Sequence, residues 1–393
     1  MSFQHKEIDV KKPASAQQLK HAFVSIMSAE ASKIPEPPAT RQHILSFSFV
    51  IPHLAEASQM ITDLPYRNDK YLLLMSLFTG LGRFYESQGA YTQATVQYEH
   101  CVSISKHYLG QEYPETADSL NNLGFIYYLQ SRYQEAEPLY LQALELRKKI
   151  LGEEHPDVAT SLNNLGLLYS DQGRYEEAEP LYQKALDLRK RLLGEEHPDV
   201  AQTFNNLGLL YYSQKRYEEA ELLYCKALKL RKRVLGEEHP RFVITLNNLG
   251  LLYSAQKRYE EAEPIYQKAL KLRKRLLGEE HPDVTTSLNN LGLLYYAQKK
   301  YEKAEPIYLN VLAMQKRLLG ERHLRFGISL NNLGLLYSAQ QRYEEAESLY
   351  QKALKIVEKR LGLEHPHTEI VRQNLRDLGE HLTVTNESRS KGT

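Results

Sequence analysis

The string NNLG begins at Asn121, Asn163, Asn205, Asn247, Asn289 and Asn331, a constant step of 42 residues. Self-similarity at such a period means a solenoid or a propeller, because each copy is one supersecondary unit that buries its apolar face only against its neighbours. A weaker copy lies upstream, where TGLGRFY covers Thr79 to Tyr85, and a truncated one downstream at Gln373, Asn374 and Leu375. The copying also accounts for the aromatic content. Of 28 Tyr, 21 lie between Tyr127 and Tyr350, while Trp is absent.

One copy reads as two helices. Val158, Leu162, Leu165, Gly166 and Tyr169 recur at helical spacing along one face. Pro156 suits the first turn, where a missing N–H needs no partner, and Asp157 complements the positive end of the helix dipole. Ala178, Leu181, Tyr182, Ala185, Leu188 and Leu192 form a second stripe, with Arg189 to Arg191 late and Gly194 placed to end the helix. The pair predicts an antiparallel hairpin, with Gly166 and Ala178 small where the axes come closest. Pro138, Pro180, Pro264 and Pro306 fall inside the second helix and each removes one backbone hydrogen bond.

Composition excludes several classes. Lys plus Arg number 50 against 49 Asp plus Glu, so no whole-molecule field steers the chain to nucleic acid or an acidic membrane. Cys101 and Cys225 are the only cysteines, without CxxC spacing, which rules out a disulfide scaffold and a zinc ribbon. The N-terminus is too charged for a signal peptide, and Leu72 to Phe78 falls far short of the roughly 18 apolar residues of a membrane span. A soluble, cytoplasmic protein is expected.

The spacing of Leu162, Leu165, Gly166, Tyr169, Ala178, Tyr182 and Ala185 resembles a tetratricopeptide repeat. The 42-residue period and the phrases NNLGLLY, EEAEPLYQKAL and LGEEHPDVA are similar to the kinesin light chain type of that repeat. The resemblance implies an all-α solenoid, a right-handed superhelix of helix hairpins. Residues 18 to 90, with RQHILSFSFVIPHLAEA and FTGLGRFYESQGAY, resemble the lead-in to the C-terminal repeat arrays of bacterial STAND-type signalling NTPases with NB-ARC domains, arrays that act as sensors or scaffolds. No GxxxxGK[ST] loop occurs, so this chain is at most the sensor half. One short apolar stripe, Leu19, Phe23, Ile26 and Met27, falls short of the heptads by which kinesin light chains hold their motor.

The expected organisation is a disordered tail over 1–17, a helical N-terminal cap over 18–76 and seven repeats over 77–364, then a capping helix over 365–382 and a tail over 383–393. Within the cap, Lys20 to Ser32 is expected to be a helix, IPEPPAT a linker, and Arg41 to Ile51 and His53 to Thr62 two more helices.

Turning Leu162, Leu165, Gly166 and Tyr169 inward puts Thr160, Asn163, Asn164, Leu167, Ser170 and Asp171 on the opposite side. In tetratricopeptide arrays that side lines the concave groove. A carboxamide both donates and accepts, so a ladder of them suits the N–H and C=O groups of an extended peptide. The candidate groove comprises Asn121, Asn122, Asn163, Asn164, Asn205, Asn206, Asn247, Asn248, Asn289, Asn290, Asn331 and Asn332. Leu167, Leu209, Leu251, Leu293 and Leu335 supply apolar pockets, and Tyr212 and Tyr296 supply aromatic anchors, with Tyr128 at the equivalent position. The competing reading is that one Asn of each pair bonds to the neighbouring repeat.

Other chemistries fit less well. A carboxylate clamp of the chaperone type needs a cation where Thr160, Gln202, Ile244, Thr286 and Ile328 stand. His155, His197, His239, His281, His323 and His365 recur one per repeat, too far apart to converge on one ion, and read as loop-closing residues before helix starts. Basic runs such as Arg189 to Arg191 complement helix C-termini and face pairs such as Glu153 and Glu154, so nucleic acid is not an expected partner. No GxSxG, HExxH or DFG string appears, and no cofactor or metal is expected. The reading is a non-catalytic scaffold or adaptor for a protein or peptide partner; the alternative is a sensor or regulatory subunit of a separate signalling NTPase or kinase.

Overall fold

The computed structural model describes residues 16–35, 46–48, 50–60, 68–109, 112–363 and 365–390. Among them every regular element is helical, and no helix is long and apolar enough to cross a membrane. The chain divides into two units, Met1–His197 and Pro198–Thr393.

Unit 1 opens with α1 (Ala16–Ser32), α2 (Ile51–Met60) and α3 (Asn68–Ser87). Val24 and Ala31 of α1, Leu54 of α2 and Leu77, Leu81 and Phe84 of α3 form a shared core. The first hairpin pairs α3 with α4 (Tyr91–Ile104), which runs into a π-helical turn at Ser105–Leu109. It begins at Asn68 rather than 77. Two more hairpins follow, α5 (Pro114–Leu129) with α6 (Tyr133–Leu151) and α7 (Pro156–Asp171) with α8 (Tyr175–Leu193). The expected tail up to residue 15, most of the IPEPPAT linker and residues 41–45 lie outside the described residues.

Unit 2 carries four hairpins: α9 (Pro198–Ser213) with α10 (Tyr217–Leu235), α11 (Pro240–Ala255) with α12 (Tyr259–Leu277), α13 (Pro282–Ala297) with α14 (Tyr301–Leu319), and α15 (Leu324–Ala339) with α16 (Tyr343–Leu361). The closing helix α17 runs from Pro366 to Ser390, past the expected stop at 382. The segment TVTNESRS holds neither Gly nor Pro, so no strong breaker ends the helix earlier.

The recurring residues explain the recurring elements. From α6 onward each second helix ends at a glycine with φ between 80° and 89°, from Gly152 to Gly362, a conformation that disfavours any side chain. At the hairpin crossing, a Cβ on Gly250 would lie 2.8 Å from the Tyr266 ring, so the tyrosine lies flat on the backbone of the first helix and the two residues must be copied together. The histidines are N-caps. Nδ1 of His155 accepts the Asp157 N–H at 3.2 Å, and His239, His281, His323 and His365 do the same for the residue two positions on.

Candidate functional site

Within unit 2 each first helix touches the next first helix, α9 with α11, α11 with α13, α13 with α15 and α15 with α17; in unit 1 α5 touches α7. First helices therefore line one wall of each unit, and side chains about 43 residues apart meet across it.

That meeting divides the asparagine pairs. Nδ2 of Asn164 donates to Oδ1 of Asn121 at 2.9 Å, Asn248 to Asn205 at 3.1 Å, Asn290 to Asn247 at 3.0 Å and Asn374 to Asn331 at 2.9 Å. The first residue of the pair is buried in Asn121, Asn163, Asn205, Asn247 and Asn331. Consecutive residues on a helix point about 100° apart, so the two amides cannot share one outlook. The first is a rung between repeats, and Asn164, Asn248 and Asn290 each spend an N–H on it; these three, with Asn122 and Asn332, stay half-buried. Asn206 is buried and accepts from Gln202 at 3.0 Å. Asn289 departs from the pattern: it is half-buried and donates to the Ser329 hydroxyl at 3.0 Å, while its Oδ1 has no partner.

The apolar positions remain on the open side. Leu167, Leu209, Leu251 and Leu335 are half-buried and Leu293 is 37% exposed. Tyr212 and Tyr296 are half-buried, each with a neighbouring ring 6.0 Å away, Tyr217 and Tyr301 respectively. Tyr128 has the same companion in Tyr133 at 6.0 Å, and its hydroxyl donates to Oδ2 of Asp171 at 2.6 Å.

Two sets of working residues escape the sequence reading. Arg147, Arg189 and Arg231, the first cation of each basic run, are 1% to 5% exposed. Nη1 of Arg147 bonds to the Ser161 hydroxyl at 2.8 Å and the Asp157 carbonyl at 3.1 Å in the next repeat, and Nη2 to Asp118 at 2.6 Å. Arg273 reaches Ser287 and the Asp283 carbonyl in the same way, at 2.9 and 3.1 Å. Register could have revealed them: Tyr182, Ala185, Leu186 and Arg189 follow one apolar face, and Val357 occupies the position two repeats beyond Arg273. Burial and the nearby Arg241 push the Arg231 guanidinium below its ordinary range. The later cations of each run pair with loop acids, as in Arg191 with Glu154 at 2.8 Å and Arg317 with Glu280 at 2.6 Å. Lys232 and Lys268 together hold the Glu237 carboxyl down to about 2.

The second set ties the turn of a hairpin to the second helix of the one before. The Arg174 guanidinium lies 3.7 Å over the Tyr169 ring, bonds Glu177 of its own repeat at 2.7 Å and Glu137 of the preceding one at 2.9 Å. Arg258 and Arg342 repeat the arrangement on Tyr253 and Tyr337. Tyr169, placed in the core by its spacing, is thus also the platform for an inter-repeat ion pair.

The tetratricopeptide repeat pattern matches residues 73–149, 118–190, 157–233, 241–317, 286–359 and 325–375. No curated protein matches the chain. Among solved structures, NprR in complex with its cognate peptide NprX shares the fold at a TM-score of 0.62 and 15% identity, over 88% of this chain and 89% of that one. The Rap protein complexed with competence and sporulation factor does so at a TM-score of 0.58 and 16% identity, over 93% and 99%. BtubC (BKLC) from P. vanneervenii is 26% identical over 59% of this chain and 93% of its own, at a TM-score of 0.47.

Proposed function

The chain belongs to the tetratricopeptide repeat family, and from that premise we propose that it is a non-catalytic scaffold whose first-helix wall holds an extended segment of a partner protein. One observation carries this reading. Leu209, Leu251, Leu293 and Leu335 of unit 2 stay partly open in four successive repeats, flanked by Tyr212 and Tyr296, although the same helices bury all their other leucines but Leu324. A regularly spaced apolar row beside half-free amides matches a ligand that offers a side chain and a peptide group at regular intervals. The rungs set the spacing of the helices, and the leucines and second asparagines meet the ligand.

The test is fluorescence polarisation of the full chain with labelled decapeptides drawn from a degenerate apolar and polar pool. Leu251→Glu combined with Leu293→Glu should weaken binding at least about tenfold, since each buries a charge against an apolar ligand surface. Both sites are already partly exposed, so the thermal midpoint should move little. Unchanged affinity in a folded double variant would sink the reading.

A further inference from the structure

The wall of unit 1 differs from the copies in unit 2 at one place. Tyr128 and Tyr133 stand with ring centroids 6.0 Å apart, and Phe125, where later repeats carry Leu, stacks on Tyr128 at 5.9 Å. Asp171 comes against them from the next first helix, its Oδ2 2.6 Å from the Tyr128 hydroxyl. The equivalent positions hold Leu129, Ser213, Ala255, Ala297 and Ala339, so the acid is peculiar to this repeat.

Most acids of the repeats have a cation beside them, yet among the described residues none pairs with Asp171. Asp171 is exposed on the wall, and partial desolvation of its carboxyl raises its pKa, with the Tyr128 hydroxyl acting the other way. Burial and the Asp171 charge together raise the pKa of the fully buried Tyr182. Tyr133 also feels that charge. A carboxylate without a cation and three aromatic rings form a set with an acceptor and negative ring faces.

We propose that Phe125, Tyr128, Tyr133 and Asp171 form a subsite for a cationic side chain, an arginine or lysine of the bound segment. The charge pairs with Asp171, and the flat guanidinium or the lysine stem lies on the rings. Tyr128 holds the carboxylate in place without neutralising it. The subsite rests on the groove reading above and adds the chemical class of one ligand residue.

Two labelled decapeptide pools, identical except for a central arginine or the neutral isostere citrulline, separate the two readings by fluorescence polarisation on the full chain. The arginine pool should bind about tenfold more tightly, and the preference should shrink at high salt. Asp171→Asn keeps an acceptor for Tyr128, so the fold is retained, and it should reduce the preference to less than about twofold. Leu167→Glu, on the wall of the same unit, should weaken both pools alike and leave the preference intact. Equal binding of the two pools by the unaltered chain, or a preference that survives Asp171→Asn, overturns the subsite while the groove stands. Binding of neither pool overturns both.

Discussion

Tyr128 of unit 1 and Tyr212 and Tyr296 of unit 2 occupy the same register, each with a second ring 6.0 Å away, but only Tyr128 meets a carboxylate in the next repeat. Residue 43 positions on is Asp171 in the first case and Ala255 or Ala339 in the others. The buried arginines differ in parallel: Arg147 meets Asp118 at 2.6 Å, whereas Arg231 meets the amide oxygen of Gln202 at 2.7 Å. The scaffolding contacts are copied faithfully, and the chemistry changes at a few positions on the wall. Duplication thus fixes the helices and leaves the variation to single residues.

The arginines provide the largest test of that contrast. Arg231 is 1% exposed, its partners are Gln202, the Thr245 hydroxyl and the Arg241 carbonyl, and no carboxylate is among them. A buried charge without a counter-charge is often replaced by a hydrophobe of similar size without loss, so Arg231→Met should change stability by no more than about 1 kcal/mol in either direction. Gln315 and Val357 already stand at equivalent positions. Arg147→Met also removes the pair with Asp118, whose side chain is 58% exposed and rehydrates, so it should cost about 1 kcal/mol more. Urea melts of the two variants check the pair, and equal losses would remove the distinction.

The contrast at the tyrosines can be sharpened by transplanting the acid. Ala255→Asp places a carboxylate opposite Tyr212 and should give unit 2 its own preference for arginine over citrulline, about three- to tenfold. It should be measured with Asp171→Asn in the same chain to silence the first site. A transplant without preference would show that Phe125, which unit 2 replaces by Leu, is also required.

The smallest effect lies in the caps. Nδ1 of His281 must be neutral to accept the Asp283 N–H at 3.1 Å. Burial lowers its pKa, against the pull of Asp283 and with the help of Arg273 and Arg325; burial, Arg325 and Arg360 lower that of His323. A lowered native pKa means that the unfolded chain takes up protons first as pH falls through about 6.5. The stabilisation is therefore present above that pH and lost below it, about 1 kcal/mol per cap between pH 7 and 5. His281→Asn keeps a capping oxygen and should flatten the slope; a slope unchanged in the variant would count against the cap as its source.

The helices were legible because their signals repeat: Pro156 and its equivalents at the starts, Gly194 and its equivalents at the ends, and apolar stripes between. The site was legible only in part. Leu251 and Tyr212 could be placed on the open wall by helical spacing alone. The division of labour between Asn247 and Asn248 could not, since it depends on which amide meets the neighbouring helix, a fact about separations between repeats. Arg231 was missed because its neighbours Lys232 and Arg233 made it look like part of an exposed run, while its register with Tyr224 and Ala227 marked a buried face.

At Asn121, Asn205, Asn247 and Asn331 the rung ties one module to the next by the same bond. Such joints are interchangeable, so whole modules can be inserted or excised by slippage between near-identical stretches of gene, and the new seam closes with the bond it had before. The joint of Asn289 with Ser329 departs from that bond, and the oxygen left over there has no partner.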